Sequence, residues 1–312
     1  MARPLRSLLH GLLLILGVTF ISFLLMVWFG PDQTFTLIGK NATAERIAEV
    51  RHELGYDQPF LKRYADFLVE LATLDLGLSN SSGERVSRML ARSVPVTLAL
   101  MLPGFLLGNL LGIAFGLQAA QRRGQWSDRV ISSLSVTGMS LSFLIIIIAL
   151  QVLLSTPQGL NLFPVRGWQV VDLPSYLRYV TVPTVALLIV TLGYNTRFYR
   201  AVFVDEFGKD HIRTARAFGA SPAVIMWKHV LKNSMVPIIT RVLFSIPLVV
   251  ISGSLLIESY FGIPGIGKIT FEAITNGDQP VLKAVVALTA VAFVLIQVTA
   301  DLLYRLVDPR VA

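Results

Sequence analysis

Six stretches of the chain run for sixteen or more residues without Asp, Glu, Lys or Arg: Ser7 to Pro31, Ser93 to Gln121, Val130 to Val165, Tyr179 to Thr196, Val242 to Ile257 and Ala284 to Ala300. A helix crossing the hydrocarbon core needs about 20 mostly apolar residues, with ~17–25 tolerated. The first four runs are long enough outright. The last two reach that length once Arg241, Lys283 and Arg305 extend their charged ends to the interfaces. A single run could be a buried helix of a large soluble protein, but six would need a dry core larger than a chain of 312 residues can enclose. The pattern therefore predicts an all-α membrane protein with six transmembrane helices. The apolar stretch Leu8 to Phe29 exceeds the ~7–15 residues of a cleaved signal core, and no small-x-small site follows it, so it reads as a retained first helix.

Composition agrees with the pattern. Hydrophobic residues make up 54% of the chain, charged residues only 15%, and mean hydropathy is +0.67. Soluble domains carry about 25% charged residues, so this chain lacks the charge to coat a water-facing surface. The absence of Cys excludes disulfides, thiolate zinc sites and Cys nucleophiles. The excess of 8 positive charges would suit nucleic acid, but its distribution suits a membrane instead. With both termini inside, the short inner segments hold fifteen Lys and Arg and the two short outer ones hold four. That asymmetry predicts cytoplasmic N- and C-termini; the long segment Gly30 to Arg92 exceeds ~60 residues and is exempt from the rule.

The expected organisation is an N-terminal tail and first helix over 1–30, a periplasmic helical insertion over 31–92, a core over 93–305 and a tail over 306–312. Core helices are placed at about 93–120, 130–155, 179–196, 236–257 and 282–304. In the insertion, Thr43 can cap a helix through Leu54, Gly55 to Gln58 can stop it, and Pro59 can start a second with Phe60, Tyr64, Phe67, Leu68 and Leu71 on its apolar positions. Such an insertion is either a lid packed on the outer face or a docking surface for an external partner. Gly108, Gly112 and Gly116 form a small-residue stripe that lets a neighbouring helix approach closely.

Catalytic chemistry finds little support. His10, His52, His211 and His229 are scattered and form no metal-binding motif. Gly262 to Lys268 fits the GxxxxGK spacing of a phosphate loop, but Ile269 stands where a magnesium-ligating Ser or Thr belongs, and no strand precedes it. A tight turn into a short interfacial helix explains it better. No carboxylate lies at mid-span, which counts against ion-driven carriage; Asp301 and Arg305, four apart, are expected to pair on one helical face.

The inner segment 205–235 is the most informative. Asp210 to Phe218 and Pro222 to Leu231 read as short helices, with Gly219 supplying a left-handed turn and Ser221-Pro222 a restart. Ala215 and Ala217 keep part of the first helix shallow, and Phe218, Ile225 and Trp227 offer apolar grip. On residue types alone, an ordinary basic cytoplasmic loop accounts for it equally well.

Aligned on Gly219, however, Arg213, Thr214 and Ala215 occupy the E-A-A positions of the loop found in permease subunits of binding-protein-dependent ABC importers. The Arg-Thr-Ala variant, with Lys228 to Asn233 after it, resembles the peptide/nickel branch of this MetI-like family. Leu54 to Pro59 with Asp75 to Ser79, Glu258 to Gly267 with Glu272 to Ile274, and Asp301 to Tyr304 ending in Asp308-Pro309-Arg310 resemble the same branch in the same order. The large insertion is similar to that of the B-type dipeptide or oligopeptide permease.

The resemblance implies one half of a heterodimeric channel beside a paralogous permease, in the bacterial cytoplasmic (inner) membrane. It implies two cytoplasmic ATPase subunits, which use ATP and magnesium while this chain binds no cofactor and no metal and is not itself an enzyme. It also implies a periplasmic or lipid-anchored substrate-binding protein, contact with membrane lipid, and no nucleic-acid partner. Arg213, Thr214, Ala215, Ala217, Phe218, Gly219 and Ser221 would form the ATPase-coupling helix. Asn109, Gln118, Gln151, Tyr194, Asn195 and Gln297 are polar groups within spans that would be costly facing lipid; they either line the translocation path or bond helix to helix. The alternative function is a self-contained secondary carrier, which would transport alone on an ion gradient.

Overall fold

A computed structural model describes residues 2–30, 34, 38, 39, 42–73 and 75–307. The expected motif Asp308-Pro309-Arg310 and the rest of the tail beyond Val307 lie outside the described residues. The helices are α1 (Ala2–Phe29), α2 (Ala44–Glu53), α3 (Phe60–Thr73), α4 (Val86–Gln121), α5 (Trp126–Ser140), α6 (Phe143–Ser155), α7 (Leu173–Phe207), α8 (Asp210–Ala217), α9 (Pro222–Val224), α10 (Met235–Pro247), α11 (Ser254–Phe261), α12 (Ile266–Asn276) and α13 (Gln279–Val307). π-Helical turns follow α9 at Ile225–Leu231 and join α10 to α11 at Leu248–Gly253. The β structure among the described residues is one isolated antiparallel bridge, Leu78 to Arg85.

Among the described residues, four helical runs are long and apolar enough to cross a membrane: α4, α7, the run Met235–Phe261 and α13. A fifth crossing results if α5 and α6 are taken as one span bent by 95°. Among the described residues of α1, the apolar stretch is Ile15–Trp28.

The chain divides into two compact units. The first comprises residues 1–97 and 264–298. Here Thr43 caps α2 by accepting from the Arg46 amide, and Gly55 ends that stretch at φ +67°. Pro59 then leads into α3, whose Phe60, Tyr64 and Phe67 pack on Phe20 and Phe23 of α1 with ring centroids 5.2–5.6 Å apart. The Tyr64 hydroxyl donates to the Leu16 carbonyl at 2.9 Å, so the insertion folds back along α1. A second cluster joins Val86 and Leu90 of α4, Ile266, Ile269 and Ala273 of α12, and Val281, Ala284 and Val285 of α13.

Asp278, just ahead of α13, is 1% exposed. Its carboxylate accepts from the hydroxyls of Ser79 (2.5 Å) and Ser81 (2.7 Å) and from the amides of Asn80 and Ser81 (both 3.2 Å). Burial alone would raise its pKa; the bonds from Ser79, Ser81 and Asn80 outweigh that and hold it below the usual carboxylate value.

The second unit comprises residues 98–263 and 299–312. Its spine is the pair α4 and α7. A Cβ placed on Gly104, Gly108, Gly112 or Gly116 would meet Leu187, Thr191, Asn195 and Tyr199 at 2.3–3.0 Å. Both series advance by four, so the two helices run parallel, in contact turn after turn. Glycine is required because no side chain fits between the backbones. Gly193 of α7 does the same for α5: a Cβ there would lie 2.6 Å from the Ser135 carbonyl oxygen.

The run expected as one helix over 130–155 is instead two. α5 ends at Ser140, Leu141 and Ser142 are extended (ψ 137° and 131°), and α6 leaves at 95°. Ser135 and Ser140 bond back to carbonyls one turn earlier, a geometry that loosens a helix, and the segment is rich in Ser and Thr. The helix expected over 236–257 is likewise interrupted, with π-helical turns directly after Pro247.

Candidate functional site

The segment 205–235 forms an exposed knob on a buried root. Ile212 of α8, with Ile225 and Val230 of the following turns, packs against Tyr199 and Phe203 of α7 and Leu117 and Ala120 of α4. Ile212, Val230, Tyr199 and Phe203 are fully buried. The expectation that Ile225 grips a partner is therefore corrected: it is 4% exposed and belongs to the root. Phe218 and Trp227 are 88% and 60% exposed and remain available.

The turn is built by hydrogen bonds. Ala220 N–H donates to the Ala215 carbonyl and Gly219 N–H to the Arg216 carbonyl, both at 3.0 Å, while Gly219 sits at φ +79°. This pair of bonds is a Schellman motif, which ties off the last carbonyls of α8 and needs a left-handed residue. Ser221 then caps α9 by accepting from the Val224 amide at 3.4 Å. At the base Glu206, 4% exposed, holds Lys209 at 2.5 Å. Arg213, Thr214, Ala217, Phe218, Gly219 and Ser221 lie on the exposed side, and Ala215 is half-buried against the root.

The six polar residues of the spans separate into two groups. Asn109 (5% exposed) and Asn195 (5%) meet: the Asn195 side-chain amide donates to Asn109 Oδ1 at 3.2 Å and to the Gly108 carbonyl at 3.4 Å. The Tyr199 hydroxyl donates to the same Oδ1 at 2.7 Å, making a three-residue node that bonds α4 to α7. Tyr199 was not singled out from sequence; its spacing of four from Asn195 was the available signal. Gln151 is also buried, donating to the Val165 carbonyl and accepting from Tyr260, which ties the segment after α6 to α11. Gln118 and Tyr194 are exposed and Gln297 is half-buried.

A further group legible only in three dimensions is the forked pair of Arg200 with Asp128, at 2.6 and 2.8 Å, which locks the start of α5 to α7. Among the described residues no group of three His, Asp or Glu is placed to hold a metal ion.

Comparison with known proteins identifies the family of the chain. The family described as "Binding-protein-dependent transport system inner membrane component" matches residues 108–312, and its N-terminal companion, "Binding-prot-dependent transport system membrane comp, N-term", matches residues 1–101. The chain belongs to this family. It is thus an ABC importer permease subunit. A putative peptide transport system permease protein of Brucella abortus is 33% identical over 99% of this chain and 98% of its own length. A probable peptide ABC transporter permease of Sinorhizobium fredii is 30% identical over 98% of both chains. A glutathione transport system permease of Salmonella choleraesuis is 32% identical over 95% of this chain and 94% of its own. An inward-facing structure of the MetNI methionine ABC transporter matches 70% of this permease and 96% of the matched chain, at a TM-score of 0.57 and 20% identity, and shows the same fold.

Proposed function

We propose that this permease forms half of a channel for peptides or peptide-like solutes in the bacterial inner membrane, paired with a paralogous permease and powered by two cytoplasmic ATPase subunits. The observation that carries the coupling role is the knob: an exposed helix end, Ala217 to Ser221, fixed to a root in which Ile212 and Val230 are fully buried. A displacement of the tip must move α4 and α7 with it, because a packed core transmits strain instead of absorbing it. ATP and magnesium act in the partner subunits.

Six crossings with both termini in the cytoplasm fit the parallel course of α4 and α7. Parallel neighbours require the chain between them to return once, which the bent pair α5–α6 does if it counts as a single crossing. The insertion 31–92 would then lie outside. Its α3 covers α1 with one face and leaves Leu61 and Val69 exposed, which suits a landing surface for a substrate-binding protein. Within the channel, Gln118, Tyr194 and Gln297 are the path candidates, since Asn109, Asn195 and Gln151 are already engaged within the chain. Peptide-like cargo is supported by the relatives named for peptide and glutathione transport.

The chain has no cysteine, so one introduced thiol is a clean probe. Ala217→Cys, in the assembled complex, should cross-link to an ATP-hydrolysing subunit, with the yield changing between nucleotide-free and ATP-bound states. A thiol at this site that captures no ATPase in a complex competent for uptake would overturn the coupling assignment.

A further inference from the structure

Beside the coupling knob, the ends of α4 and α7 and the turn Gly219–Ile225 enclose a cavity of about 660 Å³. Its floor is apolar, formed by Val204, Phe207 and Ile225, and its charged lining consists of Arg123 and Arg216, with no carboxylate. Neither guanidinium has an ion-pair partner among the described residues, whereas neighbouring arginines do: Arg200 holds Asp128 and Arg213 holds Asp210. The α4–α5 turn, bent at Gly124 (φ +81°), also carries Arg122 and Arg129, which lie outside the cavity lining and have no ion-pair partners among the described residues. Between them Trp126 stands 78% exposed at the start of α5.

We propose that this cavity binds the headgroup of an anionic phospholipid of the inner leaflet, with Arg123 and Arg216 on the phosphate and Trp126 anchoring the rim. Two unpaired guanidiniums over an apolar floor match a phosphodiester that continues into glycerol and acyl chains. A partner carboxylate would satisfy the arginines equally well. Trp126 decides for lipid, because an indole exposed beside a basic cluster at the end of a span has its preferred surroundings at headgroup depth. The site rests on the topology proposed above, and it would make the seating of the coupling knob sensitive to the charge of the surrounding membrane.

The test uses the assembled transporter, exchanged into vesicles of phosphatidylcholine doped with phosphatidylglycerol and then counted for retained lipid by native mass spectrometry. Wild-type complex should retain phosphatidylglycerol over phosphatidylcholine, and raised salt should weaken that preference. Arg123→Gln and Arg216→Gln together should reduce retention by roughly fivefold per arginine, and Arg123→Lys should restore much of it, being a charge without the fork. Equal retention of the two lipids, a double variant indistinguishable from wild type, or loss of retention whenever the ATPase subunits are bound would each overturn the site. A separate reading checks the topology: Arg123→Cys should react with a membrane-impermeant thiol reagent only from the cytoplasmic side. Labelling from outside would overturn the topology and the site together, while correct labelling without lipid preference overturns the site alone.

Discussion

Gly219 offers the sharpest test of how the knob is built. It occupies φ +79°, and nothing lies within 4 Å of where a Cβ would stand, so a substitution meets no side chain of this permease and acts through the backbone. A non-glycine residue there costs roughly 1–2 kcal/mol, and a β-branched one up to about 3 kcal/mol. Holding the turn in place are the two Schellman bonds, each contributing about 0.5–1.5 kcal/mol, and the Ser221 cap at about 1 kcal/mol. The turn is therefore held by about 2–4 kcal/mol. Alanine leaves it the majority conformation, and valine brings it close to balance with other conformations. Asparagine is larger than alanine yet tolerates the left-handed region. ATP hydrolysis stimulated by binding protein, and uptake into vesicles, should therefore rank glycine close to asparagine, then Gly219→Ala, then Gly219→Val, with membrane insertion unchanged throughout. If Gly219→Asn proved as poor as Gly219→Val, side-chain size against a partner would be the cause and the backbone argument would fail. A fully active Gly219→Val would dispose of both.

Other consequences are as direct. Asp278→Ala removes a buried carboxylate that accepts four hydrogen bonds and should destabilise the insertion by about 2–4 kcal/mol, read as faster proteolysis near residues 77–85. Because the Asp278 pKa is lowered on folding, its contribution is complete above the unfolded value near ~3.9 and disappears as pH falls through the folded value. Wild-type protection should therefore fall in acid while the variant stays flat; parallel pH curves would refute this. Gly112→Leu would place a Cβ 2.7 Å from that of Asn195 and should prevent α4 from packing on α7, abolishing the monodisperse peak in detergent chromatography. Tyr199→Phe removes one interhelical bond and should lower stability by only about 0.6–1.7 kcal/mol in a thermal melt. Ile212→Ala hollows the root and should cost about 2–4 kcal/mol, with uptake lost before insertion is.

Much of this architecture was legible in the residues. Thr43, Gly55 and Pro59 act through local backbone preferences, and each sits at the helix boundary those preferences require. The spacing of Gly108, Gly112 and Gly116 announced a close helix neighbour, though not that the neighbour would be α7 or that it would run parallel. The Gly219 turn and Ser221 restart were equally visible. The residues that hold the knob were not: Ile225 looks like an exposed grip until α4 and α7 are seen to enclose it. The Asp278 cage joins residues almost two hundred positions apart, a distance over which periodicity carries no information. The bend at Leu141-Ser142 was hidden for the opposite reason, since an uncharged run looks the same straight or broken.

From Gly104 to Gly116, α4 and α7 touch over about 18 Å at every turn, as two stiff rods fused side by side. A fused beam bends far less than its members would separately, so work delivered at one end arrives nearly undiminished at the other. Under the coupling proposed above, the parts expected to yield during a transport cycle are the jointed ones, the elbow at Leu141-Ser142 and the loosened coil after Pro247, so that this subunit would act as a rigid crank with two hinges.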